Sequence, residues 1–76
     1  MDLTLEQLNA HKKEALERLI EDAGSVNHLA RMLNIHLMTV RGWVGRNAIS
    51  KQGATLVEDH PTLGEYYKAI DLRPDM

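Results

Sequence analysis

The stretch Val26-Asn-His-Leu-Ala-Arg-Met-Leu-Asn-Ile-His-Leu-Met-Thr-Val-Arg-Gly-Trp-Val-Gly45 decides how this chain folds. Small Ala30 stands where two helices must approach closely. Four residues on, Asn34 takes a tight-turn position, where a positive φ is best tolerated by Gly or Asn. Leu29, Leu33, Ile35, Val40 and Trp43 fall where a helix, a tight turn and a second helix bury their side chains. The expected layout is a helix over about residues 26–33, a turn at Asn34-Ile35, and a helix over about 37–44. His36 stands at the capping end of that second helix and Gly45 closes it.

Outward from this stretch the signals remain helical. Thr4-Leu-Glu-Gln7 is a capping box, Thr4 bonding forward and Gln7 reaching back. Leu5, Leu8, Leu16, Leu19, Ile20 and Ala23 recur at helical spacing. Lys12 interrupts the stripe, so residues 5–11 form either a separate helix or a helical extension. Gly24 ends this region as a C-terminal glycine and Ser25 caps the next helix. On the other side, Ser50 caps a fourth helix that runs to Asp59 before His60-Pro61. Thr62-Leu-Gly-Glu65 reads as a second capping box, opening a fifth helix through about Ala69, and Pro74 prevents a continuation. No β-alternation, repeat or low-complexity stretch interrupts the pattern, so the chain is expected to be all-α.

Seventy-six residues make a single domain near the lower size limit for a self-sufficient core, a size often stabilised by a partner subunit. Without cysteine there is no disulfide and no Cys-based zinc site. No apolar run reaches the ~20 residues of a membrane span. The acidic start, Met1-Asp-Leu-Thr-Leu-Glu6, lacks the form of a signal peptide, so a soluble cytoplasmic protein is expected. The net charge of −2 is unevenly spread: residues 1–25 carry −3, residues 26–53 carry +4, and residues 54–76 carry −3. No acid occurs in the 35 residues from Ala23 to Val57. Phosphate attraction follows the local potential rather than the total charge, so the central segment suits a nucleic-acid partner.

Catalytic and metal chemistry find little support. His11, His28, His36 and His60 show no metal-ligand spacing and have no accompanying acid cluster, so no metal site is expected. There is no glycine-rich phosphate loop, no nucleophile elbow, and little room for a substrate cleft. Neither an enzyme nor a cofactor-binding protein is expected.

Leu29-Ala30-Arg31-x-Leu33-Asn34-Ile35, followed by Thr39-Val40-x-Gly42-Trp43, resembles the Cro-type repressors of temperate phages and their YdaS-like relatives. The ending Leu72-Arg73-Pro74-Asp75 resembles the tail common in that group. The likeness covers residues 15–76, leaving residues 1–14 as an N-terminal extension. It implies a compact five-helix domain of the Cro/repressor type, with the helix-turn-helix at residues 26–45. It further implies a bacterial cytoplasmic homodimer that occupies a palindromic operator on double-stranded DNA and represses transcription. His36, Leu37 and Met38 depart from the Ser and Gln common at this point in the group, and Gly42 replaces a side chain that is often polar.

In a helix-turn-helix the second helix offers its N-terminal residues and one face to base edges. Burying Val40 and Trp43 turns His36, Leu37, Met38, Arg41, Gly42 and Gly45 outward. The planar fork of Arg41 matches guanine O6 and N7, and Thr39 supports the helix start or touches phosphate. Leu37 and Met38 either pack on thymine methyls or supply one residue to the core between the third and fourth helices. Gly42 permits close approach by a neighbouring helix or by the duplex. Arg46, Asn47 and Lys51 are placed for phosphate contact after the recognition helix, and Asn27 and Arg31 on the other side. His36 is a polar cap or a pH-sensitive charge at the DNA surface. Leu56, Val57, Leu63, Tyr66, Tyr67, Ile70 and Leu72 are apolar residues beyond the motif that suit a dimer contact, and the two tyrosines either join it or cover the core from the fifth helix. The alternative is an antitoxin or adaptor-type interaction module whose extension, residues 1–14, grips a partner protein.

Overall fold

Each long helix opens on a side chain that accepts an otherwise unpaired backbone N–H. The computed structural model describes residues 3–76; Met1 and Asp2, which begin the expected extension, lie outside the described residues. Five α-helices occur among the described residues: α1 Leu5–Ala23, α2 Val26–Leu33, α3 Leu37–Arg46, α4 Lys51–Asp59 and α5 Ala69–Leu72. The Gln7 N–H donates to Thr4 Oγ1 at 3.1 Å and the Thr4 N–H to Gln7 Oε1 at 3.0 Å, closing the capping box of α1. Ser25 and Ser50 accept from His28 N–H and Gly53 N–H to start α2 and α4.

α1 is a single helix of 19 residues, and the interruption at Lys12 does not divide it. The Lys12 side chain is largely covered and its ammonium lies 4.0 Å from Asp75, so a charged residue in the stripe meets an opposite charge. Gly24, at φ 106°, turns the chain into α2. Asn34 ends α2 in the left-handed region (φ 55°, ψ 47°), while the Ile35 N–H donates to Ala30 O at 3.0 Å.

The end of α3 differs from the sequence-based expectation. The helix passes Gly45 and stops at Arg46, with Asn47 taking the left-handed conformation (φ 56°, ψ 31°). The Ala48 N–H donates to Trp43 O at 3.1 Å, and buried Ile49 follows at once. The closure therefore repeats that of α2: both helices end on a left-handed asparagine, and the expected stop at Gly45 is passed over.

The fifth helix also departs from expectation. Leu63–Glu65 forms only a short 3-10 turn, and Thr62 gives it no side-chain cap. His60 Nδ1 instead accepts from the N–H groups of Thr62 and Leu63, both at 3.1 Å. A Cβ on Gly64 would stand 2.2 Å from Glu58 O, so this turn is pressed onto the end of α4. α5 begins later, where Glu58 accepts from Ala69 N–H and Asp71 from Lys68 N–H.

The core is centred on Trp43, which is 1% exposed. Its indole lies against α4 at Gly53, where an added Cβ would stand 2.4 Å from Cζ2 of the ring and 2.9 Å from Cγ1 of Ile49. Leu16 and Leu19 of α1, Leu29 of α2 and Val57 of α4 complete the interior. Val57, Leu63, Tyr67 and Leu72, read above as material for a dimer contact, belong to this core, and Leu56, Tyr66 and Ile70 remain at the surface. The Tyr67 hydroxyl donates to Asp22, and burial together with that carboxylate pushes the phenol up from its ordinary range. No helix among the described residues is long and apolar enough to cross a membrane.

Gly53→Ala is expected to lower stability by about 1–3 kcal/mol, the usual cost of overpacking a dense core. Gly45→Ala, whose Cβ would meet nothing within 4 Å, is expected to raise stability by up to about 1 kcal/mol through helix propensity. Urea denaturation of the two variants checks both signs.

Candidate nucleic-acid interface

Trp43 and Val40 point inward, and their burial sets the rotation of α3 about its axis. Met38, Arg41, Gly42 and Gly45, spaced three and four residues apart, consequently form one strip on the opposite side. Met38 is 61% exposed and Arg41 is also exposed. Leu37 is half-buried and packs against the core. The two apolar residues at the start of α3 thus divide: Leu37 supports the interior and Met38 faces out. His36 Nδ1 accepts from Met38 N–H at 3.0 Å and caps the helix.

Glycine within a helix costs about 1 kcal/mol relative to alanine. At Gly53 and Gly64 the neighbouring chain requires it. At Gly45 nothing lies within reach of a Cβ, and at Gly42 the nearest group is the Arg46 guanidinium at 3.4 Å. Among the described residues no neighbouring helix comes within 4 Å of a Cβ built at either position. The outer face of α3 is low at its centre and carries Arg41 beside it, with Arg46 lying back over Gly42.

The other expected contact residues flank this strip. Asn27 and Arg41 share a groove between the start of α2 and α3 with Ser25, Val26 and Val44. Arg31, one turn after Asn27, is exposed. Thr39 is exposed and lines a second groove with Ile35, Ser50 and Gln52, next to Lys51 at the first turn of α4. Arg46 and Asn47 lie at the far end of α3, where α1 brings Asn9, Lys12 and Lys13 beside them. The structure therefore gathers Asn27 with Arg41, and Arg46 with Asn47, while Lys51 stands apart on α4. Val44 and the two lysines were not among the expected contacts. The available signal was the helical spacing of Asn9, Lys12 and Lys13 ahead of Leu16.

The C-terminal tail fixes the loop behind this surface. Arg73 Nη1 donates to Ile49 O at 3.1 Å, while Nε and Nη2 donate to the Asp75 carboxylate at 3.1 and 2.8 Å. One guanidinium thus ties the tail to the α3–α4 connection through the Ile49 carbonyl, while a bidentate pair with Asp75 holds that guanidinium in place. Hydrogen bonding from Arg73 holds the Asp75 carboxyl down at about 2, with Lys12 adding to the effect. Among the described residues no group of His, Asp and Glu is arranged to hold a metal ion. The chain matches no family model, no curated protein and no solved structure.

Leu37→Ala is expected to lower stability by about 1–2 kcal/mol, below the range for a fully buried leucine, and Met38→Ala to leave it unchanged within about 0.5 kcal/mol. Equal losses in urea denaturation would mean that α3 is rotated differently. The Asp75 carboxyl is held below its ordinary 3.8, so its stabilising contribution is complete above that pH and fades as pH falls toward about 2. Wild type is expected to exceed Asp75→Asn in stability at neutral pH, with the small gap closing across that window. A gap independent of pH would place the tail's contribution elsewhere.

Proposed function

We propose that the protein is a sequence-specific DNA-binding transcriptional regulator, a repressor of the Cro-like helix-turn-helix type, acting as a homodimer on a palindromic operator. The observation that carries this reading is the outward strip of α3, with Met38, Arg41, Gly42 and Gly45 opposite buried Val40 and Trp43. Such a strip meets the demands of a major-groove reader. Arg41 offers a bidentate fork for guanine, Met38 offers apolar contact for a thymine methyl, and the two glycines allow the helix backbone close to the base edges. No neighbouring helix requires either glycine: a Cβ at Gly45 would meet nothing within 4 Å and one at Gly42 only the Arg46 guanidinium, which supports their use against an external surface.

The electrostatics support the same partner. No acid interrupts residues 23–57; Asn27, Arg31, Arg46 and Asn47 are exposed around the strip, and Lys51 is exposed at the start of α4. In this reading they position the domain on phosphates while α3 reads bases. Tyr66, 74% exposed, is the largest apolar contribution to the surface expected to pair two copies. Paired copies would place two recognition helices in successive major grooves and exclude polymerase or a competing regulator by bulk.

Selection of bound sites from a random duplex pool at two salt concentrations tests the proposal. Inverted repeats with half-site centres roughly 34 Å apart are expected. Affinity is expected to fall by orders of magnitude between low and moderate salt if about four to eight phosphates are neutralised. Arg41→Ala should fold normally and lose about 1–3 kcal/mol of preference at one base position of each half-site. Failure to enrich any site, or affinity that is flat with salt, rejects DNA reading.

A further inference from the structure

Ahead of buried Leu16, the side of α1 next to the α3–α4 loop is polar. Asn9, Lys12 and Lys13 occupy the helical positions that lead to buried Leu16. This stretch faces the α3–α4 loop, and together they border an open surface cleft of about 380 Å3 lined by Asn9, Lys12, Lys13, Arg46 and Asn47, with two alanines. Three cations and two amides meet there, and no carboxylate is among the lining residues. Lys12 is engaged by Asp75 at 4.0 Å. Lys13 and Arg46 are exposed, and among the described residues neither takes part in an ion pair.

The cleft is continuous with the outer face of α3. The Arg46 guanidinium that lines it also lies over Gly42, 3.4 Å from the position of a Cβ. Of these cations Asp75 offsets Lys12 alone, so among the described residues the charges of Lys13 and Arg46 are left without a paired acid, and a bound anion relieves their repulsion. A flexible ammonium, a planar guanidinium and two amides are all donors, a set matched to the oxygens of a phosphodiester.

We propose that this cleft takes a backbone phosphate of duplex DNA just outside the bases read by α3, with Lys13 as its principal charge. This rests on the DNA-reading role of α3 proposed above, and it makes the N-terminal half of α1 part of the DNA footprint. Lys13 contributes affinity there without contributing base preference.

The test compares full-length wild type with Lys13→Gln, Lys13→Arg and Lys68→Gln on a duplex enriched from the random pool, measuring affinity across a salt series. Lys68 lines no part of this cleft, and its substitution changes net charge by the same amount. The expected result is that Lys13→Gln makes the slope of log affinity against log salt shallower by about 1 per bound protomer. Base preferences should stay as in wild type, Lys13→Arg should keep the slope, and Lys68→Gln should leave it unchanged. An unaltered slope for Lys13→Gln on a duplex that wild type binds overturns this inference and leaves the role of α3 standing. Equal changes for Lys13→Gln and Lys68→Gln overturn it as well, because they report net charge rather than a contact. Wild type that binds no duplex at any salt overturns the role of α3 and this inference with it.

Discussion

The Trp43 indole lies on α4 at the point where Gly53 has no side chain, and the orientation of α3 follows from that contact. A methyl group at residue 53 would overlap both the ring and Ile49. α4 can approach only because that space is bare, and α3 can present one defined face only because its tryptophan is held there. The Schellman-type closure at Asn47, the burial of Ile49 and the Arg73 bond to Ile49 O then fix the connection between the two helices. Trp43, Ile49, Gly53 and Arg73 form one mechanical unit behind the outward strip.

The glycines separate structural demands from surface properties. Gly53 and Gly64 stand where a neighbouring chain leaves no room, so packing explains them. Gly42 and Gly45 stand on an outward face where a side chain would fit, and they weaken the helix that carries them. Neither glycine is required by a neighbouring helix, and that is what supports the proposed use of this face for close approach to a partner. Placing Arg41 and Arg46 beside that low strip gives the surface its charge as well as its shape.

The parts legible in the sequence were those set by local chemistry. Thr4 with Gln7, Ser25, Ser50 and Asn34 each act within a few residues, and each appears where its spacing indicates. What escaped was decided at a distance. Gly45 is the stronger local stop signal, yet α3 runs on to Arg46 and is closed by Asn47, where the chain turns to bury Ile49. Thr62 resembles a cap, but His60 and the contact of Gly64 with Glu58 O take over that turn. Leu37 and Met38 lie about 100° apart around the helix, so which one faces inward depends on how Trp43 rotates α3. The cleft beside Lys13 depends on α1 passing the α3–α4 loop, a contact between residues far apart in sequence.

The contact surface can be located without altering the protein. Backbone amide signals of the isotopically labelled chain can be followed by NMR as an enriched duplex is added. Expected are the largest shifts at Met38, Arg41, Gly42 and Gly45, with smaller ones at Asn27 and Arg46. Shifts confined to the surface around Tyr66 and Ile70, with α3 unperturbed, would contradict DNA reading by α3.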